Sequence, residues 1–530
     1  MGTFIHPILF SLLPTIILYS HNKNEVLPSI VFIPIIYSFL FMAVSWFIFL
    51  LLFKKVIKTS IFTSIWTILF FSYGHIYLFL SGQGLFNLIP VGLNTILFAL
   101  YFLILGISFV MIFRTNKKLI ILNNLFNTVA ITLFILNLFM IVPFEVKRAI
   151  AYTRLKKYIT QNKINVTVKN TDKNSYPDIY YFVFDRYANQ NILLKYFDFD
   201  NSQLVDFLNK NNFYVGEKSS ANYPATFLSL SSSLNMKYLN FLENILGRNY
   251  SGRAIIYSLL LQNNEVVSFL KERGYKYIHI GSSYPPTKFN KLADENYNKF
   301  LNYDEFQLFL YENTLWNTIS EKIFSKRIYL GVHFLNKVID NLPYRIKIID
   351  KQISSKGPKF VFAHLLLPHR PFLFSKDCEP LDFESVRKIT DEEGYINQLI
   401  CANKEIKNIV EKIKKKSKRS AVIIFQSDEG PYLPNKYFIN GQNIKINNKE
   451  SYLIHSLILN AYYLPDKKIA QTNADYLNVG LYENFTPVNS FRLIFNYYFG
   501  TNFKILEDKN FIFKNNNYPY NFIEITKDLK

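Results

Sequence analysis

Acidic and histidine side chains follow three short apolar runs in the last two thirds of the chain. Asp185 follows IYYFVF, His364 and His369 lie in HLLLPHRPF, and VIIFQS leads into Asp428 and Glu429. Three carboxylates and two imidazoles suit a hard or borderline divalent metal ion. Each position alone is weak evidence, because an Asp after a strand is also a common helix cap or turn former.

A hydroxyl-rich segment offers a nucleophile for such a site. Residues 222–235 read NYPATFLSLSSSLN. A helix that begins near Thr226 would place that hydroxyl at a positive helix end, where anions bind well. In the alternative, a Ser or Thr caps the helix and its hydroxyl bonds to its own backbone. The residues alone leave both interpretations open.

Short apolar runs alternate with polar helical stretches and must position these side chains. We predict helices over residues 202–211 and 391–416, and strands over residues 179–184, 275–280, 359–366 and 421–425. Such alternation indicates an α/β fold with a largely parallel sheet and helices on both faces. Ligands bind beyond the carboxyl ends of the strands in these sheets, so we expect the acids and histidines to meet there.

The first 144 residues have a different composition. They hold one acid, Glu25, and seven bases, whereas the whole chain holds 39 acids and 60 bases, a net charge of +21. Spanning a membrane takes about 20 apolar residues as a helix. Uncharged apolar stretches lie at about residues 4–19, 27–53, 61–80, 85–113 and 119–144. The pattern predicts a five-helix transmembrane domain and excludes both a wholly soluble and a wholly embedded protein.

Basic residues in the short loops predict the orientation of these spans. The second and fourth loops carry them, as Lys54, Lys55 and Lys58, and as Arg114, Lys117 and Lys118. The N-terminus is then cytoplasmic and everything after residue 144 lies outside. We divide the chain into a transmembrane domain (1–145), a basic juxtamembrane linker (146–175) and an outer catalytic domain (176–530). An anionic membrane surface or envelope polymer explains the charge better than nucleic acid, which we do not expect as a partner.

Two histidines and two cysteines have simple explanations. His6 and His75 are the only groups in the spans that ionise near neutral pH, and we interpret them as helix-packing or interfacial residues. The spans then form an anchor rather than a transport path. Cys378 and Cys401 could form one bridge in an exported domain, but two free thiols are the simpler expectation.

Four strings in fixed order carry a family resemblance. PDIYYFVFDRYAN, NYPATFLSLSSSLNM, FVFAHLLLPHRPFLF and VIIFQSDEGP resemble the alkaline phosphatase/sulfatase superfamily. The resemblance is greatest to its bacterial membrane-anchored branch, which includes lipoteichoic acid synthases and phosphoethanolamine transferases. It covers roughly Tyr176 to the C-terminus. It implies an α/β/α sandwich domain like that of alkaline phosphatase, outside the bacterial cytoplasmic membrane and anchored by the multi-pass helices.

The resemblance also implies a metal centre. Asp185 and Asp428 match acidic metal ligands, and Thr226 matches a threonine that attacks phosphorus and contacts the metal. Glu429 stands where the Asp-His-Gly metal motif of the family has histidine. An all-oxygen set of Asp185, Thr226, Asp428 and Glu429 favours one Mn²⁺ or Mg²⁺ ion, with Zn²⁺ as the alternative if a histidine joins the set. Glu429 could instead point elsewhere, for example to Arg370.

Substrate contacts follow from the same resemblance. His364 and His369 match a histidine pair near the substrate phosphate, and we place Arg370 with them. Thr226 does not lie in the C/S-x-P-x-R motif of formylglycine sulfatases, so phosphoryl transfer is favoured. We therefore expect a membrane-anchored phosphotransferase or hydrolase that acts on envelope lipids or glycans. The alternatives are a sulfatase-like hydrolase of another ester and a catalytically degenerate membrane scaffold.

Overall fold

The computed structural model describes residues 4–82, 92–115, 119–164, 176–299, 305–324, 330–432, 438–439, 442–443, 448–465 and 473–529. The chain forms two compact units. We name the first the membrane unit, after the predicted transmembrane domain; it comprises Met1–Ile150, Gly252–Ala254 and Asn302–Phe334. We name the second the catalytic unit, after the predicted outer catalytic domain; it comprises Ala151–Ser251, Ile255–Leu301 and Leu335–Lys530. Residues 302–334 thus join the membrane unit, although in sequence they lie inside the predicted catalytic range.

The first four helices are predominantly apolar, and so is the first part of the fifth. They are α1 (His6–Asn22), α2 (Phe32–Phe53), α3 (Val56–Gly82), α4 (Leu93–Arg114) and α5 (Ile120–Gln161). Among the described residues, α2 to α5 are long and apolar enough to cross a membrane. The first helix has 17 residues and contains Pro14, so a fifth span stays a prediction. Part of the predicted fourth span, residues 85–91, and the loop bases Lys117 and Lys118 lie outside the described residues.

Side chains inside the membrane unit join its helices. His6 is fully buried. Its Nδ1 lies 2.6 Å from Ser64 Oγ on α3, and its Nε2 lies 3.2 Å from Asn123 Oδ1 on α5. This histidine packs helices together, as expected. At the other end of the unit, α5 continues without interruption through the first part of the predicted linker to Gln161, and residues 165–175 lie outside the described part.

The catalytic unit is built on a sheet that has seven strands among the described residues. They are β1 (Asp178–Phe184), β2 (Tyr214–Val215), β3 (Lys276–Ile280), β4 (Glu295–Tyr297), β5 (Lys359–Leu365), β6 (Ala421–Gln426) and β9 (Asn460–Tyr463), in the order β2-β9-β6-β1-β5-β3-β4. The five strands from β6 to β4 are parallel, and β9 pairs antiparallel with both of its neighbours, β6 and β2. The predicted, largely parallel sheet is confirmed. Two small hairpins complete the strands: β7 (Phe438–Ile439) with β8 (Gln442–Asn443), and β10 (Phe511–Phe513) with β11 (Phe522–Glu524).

The register of the central strands brings the site together. All seven residues of β1 are buried, which is typical of a strand covered on both faces. Val183 on β1 pairs with His364 on β5 and with Gln426 on β6. The residues that follow these positions therefore meet at one edge of the sheet.

Helices cover the sheet. The catalytic unit contains α6 (Gln190–Phe197), α7 (Ser202–Lys210), α8 (Thr226–Asn235), α9 (Phe241–Leu246), α11 (Glu265–Glu272), α15 (Phe383–Lys388), α16 (Asp391–Lys416), α17 (Asn448–Ser456), α18 (Asn473–Val479) and α19 (Ser490–Phe499). It also contains all but the first residue of α10 (Ala254–Ile256) and most of α14 (Leu330–Ile353). Two further helices, α12 (Glu305–Glu312) and α13 (Leu315–Phe324), belong to the membrane unit. The predicted helices correspond to α7 and α16. Thr390 caps α16, acids fill its first turn and lysines its last, which matches the helix dipole.

The two cysteines form a disulfide, so the expectation of free thiols was wrong. The loop after β5 folds back onto α16, and this places the Cα atoms of Cys378 and Cys401 5.0 Å apart. Residues 23 positions apart in sequence become neighbours only through this tertiary contact. Disulfides persist in oxidising compartments, which fits an exported catalytic unit.

Candidate metal and phosphoryl-transfer site

Hydrogen bonds join the residues that follow β1 to the residues that follow β6. Arg186, directly after Asp185, adopts the left-handed conformation with φ of +62°. This turn directs its N–H to Asp428 Oδ1 at 3.3 Å, and the next N–H, that of Tyr187, donates to Ser427 Oγ at 2.8 Å. These two hydrogen bonds hold Asp185, at the end of β1, next to Asp428, which follows β6.

Asp185, His364 and Asp428 form a buried cluster in which one potential ligand atom of each lies within 4.8 Å of the others. His364 Nε2 is 3.5 Å from Asp185 Oδ2. Within the described part of the chain, Asp185 Oδ1, His364 Nε2 and Asp428 Oδ2 are buried without a hydrogen-bond partner. Buried polar atoms are nearly always satisfied. A buried cluster in which each of three residues carries an unsatisfied polar atom fits a bound cation.

The His364 ring is oriented from its other nitrogen. Its Nδ1 lies 2.8 Å from Thr287 Oγ1 and 3.4 Å from Ser282 Oγ. The backbone oxygen of Thr287 is in turn 2.9 Å from Nε2 of the buried His279. Metal-binding histidines typically use the second ring nitrogen for such a contact. The arrangement leaves Nε2 of His364 directed at the two carboxylates.

The electrostatics of the two acids differ. Burial raises the pKa of Asp428 to about 6, and the negative charge of Asp185 adds to the rise. Burial would also raise the pKa of Asp185, but His369, His364 and Arg186 outweigh it and hold that pKa at about 2. A divalent cation would stabilise both carboxylates in their charged form.

Thr226 is the first residue of α8, and the N-cap is Ala225. Its side chain does not cap the helix, which removes the capping alternative for this residue. Its hydroxyl donates instead to Glu429 Oε1 at 3.5 Å. The residue is 9% exposed, so the hydroxyl lies at the helix N-terminus beside the acids, where an anion is favoured.

Glu429 binds Arg186 rather than Arg370. Arg186 Nη2 donates to Glu429 Oε1 at 3.0 Å and Nη1 donates to the Gly430 carbonyl at 3.0 Å. The guanidinium lies 3.6 Å from the ring centre of Tyr432. A Cβ at Gly430 would be 2.1 Å from the Ile454 carbonyl, so the turn requires glycine. Burial raises the pKa of Glu429, and Arg186 opposes this rise.

His369 and Arg370 lie outside the buried cluster of Asp185, His364 and Asp428. They line a small pocket together with Arg186, Tyr395 and Tyr432. His369 Nε2 is 3.5 Å from the Tyr432 hydroxyl, and Arg370 pairs with Asp391. The predicted histidine pair is therefore divided. His364 lies in the metal cluster, whereas His369 lines the pocket.

Sequence reasoning missed Arg186, Ser282 and Thr287. The latter two lie in GSSYPPT, directly after β3, and β3 pairs with β5 in the parallel sheet. Looking for hydroxyls as well as acids at strand ends would have found them. Arg186 could not be assigned, because its contact with Glu429 depends on a left-handed turn.

Comparison with known proteins gives one family. The model of the sulfatase family matches residues 193–477. A search of the curated proteins found no match.

Solved structures give remote similarities. One is the C-terminal periplasmic domain of EcEptC from Escherichia coli in complex with Zn, with 15% identity, 68% of this chain and 95% of that chain covered, and a TM-score of 0.43. A second is the soluble domain of lipooligosaccharide phosphoethanolamine transferase A from Neisseria meningitidis, with 12% identity, coverage of 62% and 90%, and a TM-score of 0.39. The integral membrane form of that transferase has 12% identity, coverage of 92% and 94%, and a TM-score of 0.36.

Proposed function

Because the chain belongs to the sulfatase family of the alkaline phosphatase/sulfatase superfamily, we propose that it is a membrane-anchored, metal-dependent enzyme. It transfers or hydrolyses phosphate esters of envelope lipids or glycans, with Thr226 as nucleophile. One observation carries the proposal. The Thr226 hydroxyl, at the start of α8, donates to Glu429, the neighbour of Asp428 in a buried cluster whose three members each carry an unsatisfied polar atom.

Asp185, His364 and Asp428 would hold one divalent cation. Bound there, the cation would lower the pKa of a coordinated hydroxyl and neutralise charge on the transferred group. The imidazole moves the preferred ion from Mg²⁺ towards Zn²⁺ or Mn²⁺. Glu429, which completes the all-oxygen set predicted from the sequence, instead forms an ion pair with Arg186, with 3.0 Å between Oε1 and Nη2. We assign it to proton transfer.

The first chemical step forms a bond between Thr226 Oγ1 and phosphorus and breaks the ester P–O bond. Glu429 Oε1, which accepts the Thr226 hydrogen bond, takes the proton. His369, which lines the pocket, gives a proton to the leaving alkoxide. The N–H groups at the start of α8 favour the phosphoryl oxygens. In the second step, an acceptor hydroxyl or water attacks phosphorus and gives its proton to His369, while the bond to Thr226 Oγ1 breaks and Thr226 regains its proton from Glu429.

The identity of the nucleophile, Thr226, favours a phosphate ester over a sulfate ester as the substrate. Thr226 is followed by Phe-Leu-Ser-Leu, so the C/S-x-P-x-R motif that is converted to formylglycine is missing at this position. A threonine alkoxide suits attack on phosphorus and formation of a transient phosphothreonine.

The enzyme works at the outer face of the bacterial cytoplasmic membrane. The lysines that follow α2 place that end inside by the loop-charge rule, and the Cys378–Cys401 bond suits the oxidising side. Substrates reachable there include membrane lipids and envelope glycans.

Headgroup release after metal removal tests the proposal. Purified full-length protein in vesicles of mixed phospholipids is treated with a chelator, and Zn²⁺, Mn²⁺ or Mg²⁺ is added back singly. We expect release of a phospho-alcohol headgroup to disappear and to return with Zn²⁺ or Mn²⁺. His364→Gln should lose metal and activity together. A protein that binds none of these metals and releases no headgroup would support a degenerate scaffold, and release of sulfate from a sulfate ester instead would support the sulfatase-like alternative.

A further inference from the structure

The segment that contains α12 and α13 is attached to the membrane unit by a backbone contact. The Gly74 N–H on α3 donates to the Asn313 carbonyl at 2.9 Å. A Cβ at Gly74 would lie 2.4 Å from Asn313 Cα, so only glycine permits this approach. Leu315 is fully buried in a cluster with Phe70, Tyr73 and other side chains of the unit.

A cavity of about 470 Å³ lies between this segment and helices α2 and α3. Volumes of this size are typical of small-molecule sites. Its walls are mainly aromatic and aliphatic, and they include Phe41, Phe70, Leu308 and Trp316. Among the described residues that line it, none is charged. The lining therefore suits an uncharged hydrocarbon group and not an anionic headgroup.

The position along the helices assigns the cavity to one leaflet. Phe41 lies 12 residues before Phe53, the last residue of α2 and the neighbour of Lys54, which is about 18 Å along a helix. Phe70 is similarly far from Val56, where α3 begins. The hydrocarbon core is about 30 Å thick, and the lysine end is cytoplasmic. The cavity thus lies in the outer half of the unit.

Polar groups lie among the apolar walls. Ser38, Thr314 and Gln307 contribute to the lining, and Tyr37 is 69% exposed at the helix surface. Tyr and Trp are enriched where a membrane meets water. Hydroxyl and amide groups can bond to the ester carbonyls of a glycerolipid while its hydrocarbon chain fills the apolar part.

We infer that this cavity holds an acyl chain of an outer-leaflet glycerophospholipid. Such chains are the abundant uncharged hydrocarbon at this depth of a membrane. The inference depends on the membrane location and not on the chemistry proposed for Thr226, so either can fail without the other.

Lipid retention by purified full-length protein tests the inference. Native mass spectrometry after detergent exchange should find wild-type protein with a bound glycerophospholipid. Ser38→Phe and Thr314→Phe fill the cavity from opposite walls, since both residues are buried and line it, and both should lose the lipid. Val44→Phe adds the same ring at a position on α2 that is 59% exposed and should retain it.

Equal retention in both filled variants would overturn the inference. So would a wild-type protein that carries only detergent or free fatty acid. Thermal unfolding of each variant checks its folding, and two variants from different walls keep the test decisive if one of them fails to fold.

Discussion

Arg186 and Glu429 form an ion pair at 3.0 Å beside the carboxylate cluster, with side chains that are 11% and 8% exposed. The pair holds Glu429 next to the Thr226 hydroxyl and away from Arg370. It also offers an explanation for a glutamate at the position where the motif that the sequence resembles has histidine. Arg186, directly after Asp185, supplies the compensating charge.

The first prediction concerns this pair. Arg186→Met leaves a buried carboxylate without its partner and should lower the free energy of unfolding by about 3–5 kcal/mol. The double variant Arg186→Met/Glu429→Gln removes both charges and should recover most of that loss. Urea unfolding of metal-free protein measures both. Equal losses in the single and double variants would contradict the assigned pairing.

The second prediction concerns the support of His364. Thr287→Val removes the hydroxyl that contacts Nδ1 at 2.8 Å and should weaken metal affinity by about 10- to 100-fold. Titration with a competing chelator measures this. Thr501→Val removes a buried hydroxyl that bonds to Asn496 and serves as the matched control. Unchanged affinity in Thr287→Val would remove His364 from the proposed ligand set.

The third prediction concerns pH. The pKa of Asp428 is about 6 in the folded chain and 3.8 ordinarily, so the protonated form favours folding. In metal-free protein, protonated Asp428 therefore contributes at most about 3 kcal/mol to the free energy of unfolding. This contribution is complete below about pH 4 and is lost as the pH rises through about 6. Metal should reverse the loss, since it binds the carboxylate form. The rise in Tm on adding metal should therefore be larger at about pH 7 than at about pH 5. A smaller rise at the higher pH would argue against Asp428 as a ligand.

The fourth prediction concerns the disulfide, which joins the loop that carries His369 to α16. The bonded residues are 23 positions apart, and replacing both with serine should lower the free energy of unfolding by about 3 kcal/mol. Denaturant unfolding with and without a reductant measures the effect. The reductant should destabilise wild-type protein and leave the double variant unchanged. Two reactive thiols in non-reduced wild-type protein would contradict the bond.

Local sequence patterns were sufficient for the main elements of the catalytic unit. The apolar run of β1 and the periodic apolar residues of α16 predicted both within one residue at either end. Strand ends also indicated Asp185, His364 and Asp428, because parallel strands bring their carboxyl ends to one edge.

Tertiary contacts account for what the sequence could not predict. The Cys378–Cys401 bond depends on how the loop after β5 returns to α16. The separate positions of His364 and His369 depend on where β5 ends, and that is one residue after His364. The segment around Asn313 lies in the catalytic range of the sequence, and tertiary contacts such as its hydrogen bond from Gly74 and the burial of Leu315 against Phe70 assign it to the membrane unit.

The most direct test of the central claim is peptide mass spectrometry of the protein quenched during turnover with vesicle lipids. We predict a phosphoryl or phospho-alcohol adduct on Thr226. Thr226→Ala should lose both the adduct and headgroup release, and Thr226→Ser should retain part of each. Ser229→Ala removes another buried hydroxyl of α8 and should behave like wild type. Normal headgroup release by Thr226→Ala would contradict the account.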